Sequence, residues 1–370
     1  MDYKWIMDSG NLFYLLPICF QKSRKFTILI LGIFLLVLAN ACSSSVQIKE
    51  RKQGFYYWQT ILQLTSDELK LMDSLQMDQL YVRLFDVDTS RDVNNAIKIK
   101  PISILQLKTA IPKRLSFKPV VYITRSALKE CTQVDSLAHH IGKLVQAIVE
   151  NNHLTYSEIQ WDCDWTPSTQ STYFLLLQKL KQEPEFEHKI FSATIRLHQI
   201  KNRSLAGIPP VDKGLVMCYN MGNLKRYGEQ NSIIDLPTAK EYLGSMQSYP
   251  LKLDIALPLF HWALQFRNEK FVGILNDVES KDVLDNIHFT QKSKCLFIAK
   301  ETTTVNGFSI QAHDEIRLEF VDLQVLHQMA KYLSRHNNNT NLQVLFFHLS
   351  PTIIKTYPAH ELQTILDCFQ

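Results

Sequence analysis

Glu158-Ile159-Gln160-Trp161-Asp162-Cys163-Asp164-Trp165-Thr166 is the stretch on which the reading of the fold turns. Polar and bulky apolar side chains alternate along it with the two-residue period of a β-strand. Gln160, Asp162, Asp164 and Thr166 share one face, and Trp161, Cys163 and Trp165 take the other. The aromatic face suits packing against helices, so the acidic face points into the centre of a barrel. Working outward, similar β-rich runs recur at Phe55–Thr60, Gln79–Val87, Lys118–Thr124, Ile190–Ile200, Gly214–Met221, Leu251–Phe260 and Leu342–Leu349. Helical stretches separate them at Ser66–Leu75, Val134–Asn151, Ser171–Gln182, Thr238–Met246 and Asp322–Arg335, and Ala359–Phe369 closes the chain. Strands alternating with helices predict βαβ units and a parallel sheet.

Eight such strands over about 320 residues predict an α/β chain folded as one (β/α)8 TIM-type barrel from 51 to 370. The exception is a region from about 278 to 320. There Cys295–Lys300 and Phe308–Gln311 read as short strands around the Asn306-Gly307 turn, followed by Ile316–Phe320. It is expected as a small β-rich insertion between strands seven and eight. A doubly wound open sheet is the alternative, but it usually wants a Gly-rich turn after the first strand, and Tyr57-Trp58-Gln59-Thr60 has none.

The N-terminal stretch reads differently. Lys22-Ser23-Arg24-Lys25 precedes an apolar run, Phe26–Leu38, which gives way to Ala39-Asn40-Ala41-Cys42-Ser43-Ser44-Ser45. That order is what export machinery reads, and the run is shorter than the ~20 residues of a membrane-spanning helix. Residues 1–41 are therefore expected to be an export signal, with an uncleaved helix as the alternative. Cys42 resembles the lipidated cysteine of a bacterial lipobox, although Ala39 and Asn40 depart from its usual residues. The expectation is a lipoprotein with an acyl anchor such as palmitate on Cys42, a tether over 42–50, and a place in the bacterial cell envelope, at the outer membrane.

Of 370 residues 46% are hydrophobic, ample for a large core, and the net charge is +4. The first 41 residues carry four basic and two acidic groups, which leaves 36 basic against 34 acidic beyond them, no basis for a nucleic-acid partner. Cys131, Cys163, Cys218, Cys295 and Cys368 are scattered without a C-x-x-C pair, so neither a disulfide framework nor a zinc site is expected. The phosphate-binding, dinucleotide, H-E-x-x-H and G-x-S-x-G motifs are absent, and no cofactor or metal is predicted.

Active sites of such barrels sit at the C-terminal ends of the strands. Asp162 and Asp164, ~7 Å apart along one strand face, are costly to bury unless hydrogen-bonded or functional. Like charges so placed raise one pKa, as a general acid requires. Equally, they could bind Arg83, Arg196 or backbone amides as a network that fills the barrel. Asp86 and Asp88 end strand two, and Tyr219 and Asn220 end strand six. Arg196 and His198 are placed on one face of strand five, and His261 and Trp262 at the end of strand seven. An exposed Trp there suits sugar stacking, and packing under a loop is the alternative. The loop Gly207–Gly214, with Pro209-Pro210, is expected to shape one wall of the cleft.

Asp162-Cys163-Asp164-Trp165 resembles the core of the strand-four motif D-x-x-D-x-D-x-E of glycoside hydrolase family 18, the chitinase-like barrels. Met217-Cys218-Tyr219-Asn220 is similar to the M-x-Y-[DN] that ends their sixth strand, and Leu253–Phe260, with Pro258, to their seventh. The likeness covers about half the barrel. It implies that Asp164 and Tyr219 hold an acetamido group. The family's proton-donating Glu falls on Thr166 and its first Asp on Ile159, while Leu345-Phe346-Phe347-His348 lacks the family's strand-eight Trp. A Thr hydroxyl cannot protonate a glycosidic oxygen at neutral pH. An acid would have to come from Asp86 or Asp88, with Glu301 a weaker candidate. The expectation is an envelope lipoprotein that acts on, or only binds, a glycan; a structural envelope lipoprotein is the alternative.

Overall fold

The computed structural model describes residues 50–276 and 278–370. The leader, Cys42 and almost all of the tether lie outside the described residues. Eight parallel strands form a closed barrel: β1 (Glu50–Tyr57), β2 (Gln79–Arg91), β3 (Ser116–Ile123), β4 (Glu158–Asp162), β5 (Ile190–Arg196), β6 (Lys213–Met217), β7 (Leu253–Pro258) and β8 (Asn341–Phe347). Each pairs with the next in sequence, β7 with β8 across the inserted segment included, and β1 closes the ring by pairing with both β2 and β8. Closure leaves no sheet edge, so every strand backbone is paired. At the seam Gly54 lies opposite Gln79, and a Cβ there would come within 2.2 Å of the Gln79 carbonyl oxygen. Only glycine fits that approach.

The ring of helices includes α1 (Ser66–Ser74), α2 (Val134–Asn151), α3 (Gln170–Leu180), α4 (Leu236–Leu243), α5 (Leu323–His336) and α6 (Ala359–Leu366). Their starts are written in the sequence. Thr65 and Glu68 form a capping box at α1, Asp235 caps α4 and Asp322 caps α5. On α5, Leu326, Met329, Ala330 and Leu333 are buried, the i, i+3, i+4, i+7 stripe of a helix packed on a sheet.

β4 shows how the barrel divides its side chains. Trp161 turns outward against Phe186 and Phe191, with ring centroids 5.4 and 5.3 Å away. Trp165, just beyond the strand, stacks on Tyr173 of α3. Gln160 faces the interior and accepts a hydrogen bond from the Tyr56 hydroxyl across the barrel.

Five details differ from the sequence reading. β1 begins at Glu50, five residues before the expected start, because Glu50-Arg51-Lys52-Gln53 sits at a partly exposed mouth and shows no apolar run. β5 ends at Arg196, and Leu197–Lys201 is a short helix, so His198 is not on a strand face with Arg196. The insertion starts earlier than 278: Trp262–Arg267, Lys270–Leu275, Glu315–Glu319, Leu296–Ala299 and Phe289–Gln291 build a five-stranded sheet with its own apolar cluster. Asn306 and Gly307, both at positive φ, do turn a hairpin, but the strands they join are Thr303–Val305 and Phe308–Ile310. Finally, the Pro209-Pro210 loop leads into the start of β6. It therefore lies at the N-terminal mouth, opposite the strand ends, and cannot wall a cleft there.

Candidate functional site

At the C-terminal mouth, β4, β5 and β6 diverge around a cleft of about 320 Å3. Asp164, Thr166, Arg196, His198, Tyr219 and Asn220 all line it, as does Arg125 at the start of the short helix Arg125–Glu130. His198 reaches the cleft from its helix, where it is exposed. A larger hollow of about 990 Å3 lies between strand Ile97–Ile102 and α2, outside the barrel, and contains none of the predicted site residues.

The two aspartates of the motif have different surroundings. Asp162 is buried beneath the cleft and accepts a hydrogen bond from Thr194 Oγ1 at 2.6 Å. Burial pushes its carboxyl up to about 6; Asp164 adds to the rise, and Arg196 and Thr194 oppose it. Asp164 projects into the cleft with its side chain 38% exposed and pairs with Arg196 Nε. Burial opposes the charge on Arg196, but Asp164 and Asp162 outweigh it and hold the guanidinium above its ordinary value. The pair is thus an ion pair with a cleft open above it, rather than one sealed in the barrel.

Tyr219 is buried, and its hydroxyl has no hydrogen-bond partner among the described residues. A buried unpaired hydroxyl costs ~1–3 kcal/mol, and this one lies just behind the cleft wall to which Tyr219 contributes. Asn220 beside it is exposed, with φ +55°.

Sequence reasoning missed the aromatic floor. Phe347 points into the mouth and stacks on Tyr219 at 5.2 Å, with Trp58 at 5.5 Å and Phe260 at 5.9 Å. Tyr122 extends the group, 6.4 Å from Trp58. Trp58, Tyr122, Phe260 and Phe347 are all partly exposed; none lines the cleft itself, and the group adjoins it through Tyr219. In sequence, Phe347 reads as one more core residue of an apolar strand, and only its alternation with buried Phe346 hints at its direction.

The remaining candidates scatter. Asp86 is buried, 3.4 Å from Arg83 Nη1, and burial raises its pKa against the pull of that arginine. Asp88 is capped by Thr124 Oγ1 at 2.7 Å and by the Thr89 amide. Neither lines the cleft. His261 packs near Phe320, and Trp262 opens the inserted sheet with its indole donating to Glu319 at 2.9 Å. Trp262 still meets Phe260 of the floor edge to face at 5.4 Å. Glu301 pairs with His288 on the insertion, away from the cleft lining. The Thr166 hydroxyl is engaged with Ser168 and Thr169. Among the described residues no group of three or more His, Cys, Asp or Glu could hold a metal ion.

The architecture is shared with known structures. The C-terminal domain of a putative chitinase from Desulfitobacterium hafniense superposes with a TM-score of 0.52 at 10% identity, over 87% of this chain and 100% of that one. The spore cortex-lytic enzyme SleL of Bacillus megaterium gives 0.51 at 11% identity, over 87% and 75%. A variant of a family 18 chitinase from Cycas revoluta, solved with (GlcNAc)4, gives 0.51 at 11%, over 86% and 100%. The fold is that of the chitinase-like barrels. No family model matches the sequence, and no curated protein does. Within this chitinase-like barrel, the cleft and the aromatic floor occupy the face on which barrels of this architecture carry their sites.

Proposed function

We propose that this protein is a glycan-binding lipoprotein of the bacterial cell envelope, built on a chitinase-like barrel and lacking the family's hydrolytic acid. The observation that carries the reading is the Asp164–Arg196 pair at the cleft beside a bound-up Thr166 hydroxyl. By resemblance Thr166 stands where the family has its Glu, and a hydroxyl cannot serve as proton donor there. The other acidic candidates do not replace it, since Asp86 is buried against Arg83 and Asp88 is capped. What remains is recognition: the free Tyr219 hydroxyl, Asp164 and a floor of aromatic rings. The basic and apolar stretches before Cys42 support export and lipidation at that cysteine.

The experiment uses the full chain in detergent, titrated with (GlcNAc)4 and with peptidoglycan saccharides while new reducing ends are assayed in parallel. Binding without turnover is expected, with affinity lost in Asp164→Asn. Turnover above the no-protein background would return the protein to the hydrolases. In cells, an alkynyl palmitate label is expected on the wild-type chain and not on Cys42→Ser.

A further inference from the structure

The charge of the cleft goes further than a generic sugar site, and the following rests on the glycan-binding reading. Its lining includes two guanidinium groups, Arg125 and Arg196, and a single carboxylate, Asp164. Arg196 commits its Nε to that carboxylate, and neither of its Nη groups makes a hydrogen bond among the described residues. Arg125 is exposed at the rim and has no ion-pair partner among the described residues. Asp162 lies buried behind this wall beside Arg196 and has no surface on the cleft. The cleft surface itself therefore presents two guanidinium groups and one carboxylate, with the unpartnered Tyr219 hydroxyl buried just behind it.

A neutral amino-sugar chain would leave Arg125 and the Nη groups of Arg196 without an ionic partner. A planar guanidinium with free Nη groups matches a carboxylate, by paired hydrogen bonds of the charge-assisted kind. The geometry points to a carboxylated glycan as the ligand: sugar rings on the aromatic floor, and an acidic substituent of one sugar seated between Arg125 and Arg196. Two chemistries supply such a group, a lactyl ether on an amino sugar and a uronic acid ring.

The test compares matched ligands on the full chain in detergent by calorimetry. The probes are a GlcNAc–MurNAc tetrasaccharide and a hyaluronan tetrasaccharide, each beside its own carboxyl-methylamide, with (GlcNAc)4 as the neutral chain. At least one free acid is expected to bind roughly tenfold tighter than its amide, a preference that shrinks between 50 and 500 mM salt. The acid that shows it identifies the source of the carboxylate. Arg125→Gln is expected to bring acid and amide within about threefold of each other, the acid losing more affinity than the amide. If both acids bind no better than their amides while (GlcNAc)4 still binds, the acidic-ligand inference is overturned and the glycan reading stands. If none of the saccharides binds, both fall. Retention of the full preference in Arg125→Gln and in Arg196→Gln would also overturn it.

Discussion

The two mouths of the barrel hold charged side chains at opposite ends of the same strands, and they satisfy them differently. At the N-terminal mouth Glu158 lies 2.9 Å from Lys213 and 3.5 Å from Lys118, and Lys213 reaches Asp254 at 2.8 Å. Asp254 also accepts from Asn339 and from the Gln343 amide, and the Tyr81 hydroxyl sits 2.9 Å from Glu158 and 2.7 Å from Gln343. Glu158, Asp254, Lys118 and Lys213 each have an opposite charge beside them. At the C-terminal mouth the Tyr219 hydroxyl, Asp86 Oδ1 and Arg83 Nε are buried without a partner, and Arg196 is half committed. A closed network fills and fixes a barrel; unfilled valences at a cleft wait for something else. Three experiments can break or sharpen that contrast.

The largest effect is expected from Lys213→Met. It leaves Asp254 with no cation and Glu158 with only the more distant Lys118, both in buried surroundings. Stranding a buried charge costs ~3–5 kcal/mol. Arg196→Met strands Asp164 instead, but that side chain is 38% exposed and water can solvate it, while buried Asp162, which also loses this cation, can keep its proton; a smaller cost than at Lys213 is expected. Urea unfolding of the two variants measures both. Equal costs would mean that the mouths do not differ in the way described.

Next comes the response to pH. Burial pushes Asp162 at one mouth and Asp254 at the other up to about 6, against an ordinary value near 3.9. A carboxyl whose pKa is higher in the folded chain holds its proton there while the unfolded chain has lost it. Their contribution to stability is therefore greatest below about pH 4, falls as pH rises from about 4 to about 6, and levels off above. Each group accounts for ~3 kcal/mol of that fall at most. Glu158, pulled below its ordinary value by Lys213 and Lys118 in spite of burial, acts in the opposite sense at lower pH. Asp162→Asn keeps an oxygen to accept from Thr194, so it is expected to remove about half of the fall and to raise stability at pH 7. An unchanged profile would show that Asp162 is not strained by its site.

How much of this was legible beforehand follows the same divide. The barrel was, because strands buried on both faces are apolar runs and the helix caps are local signals. Strand ends were not: Arg196-Leu197-His198-Gln199-Ile200 satisfies strand alternation, yet Leu197 and Ile200 are buried at helical spacing. Asp162, Asp164, Arg196, Tyr219 and Asn220 could be named from their strands, since residues ending barrel strands share one mouth. Phe347 could not, as nothing in Leu345-Phe346-Phe347-His348 separates a floor residue from core. The Glu158–Lys213–Asp254 network was equally invisible, because its members sit on three strands and only closure brings them together.

The smallest effect is the most diagnostic, because it removes one oxygen atom from each mouth. Tyr81→Phe takes away a hydroxyl placed between Glu158 and Gln343 and leaves both acceptors buried. A loss of ~1–2 kcal/mol is expected. Tyr219→Phe takes away a hydroxyl that bonds to nothing among the described residues, so stability should hold or rise by up to ~1 kcal/mol. If that hydroxyl is kept for a ligand, Tyr219→Phe should also weaken saccharide binding roughly tenfold, while Tyr81→Phe leaves it unchanged once the folded fraction is accounted for. Thermal unfolding and calorimetric titration of the same two preparations give all four values. A destabilised Tyr219→Phe with intact binding would place that hydroxyl with the structural network and take away the principal difference between the two ends of the barrel.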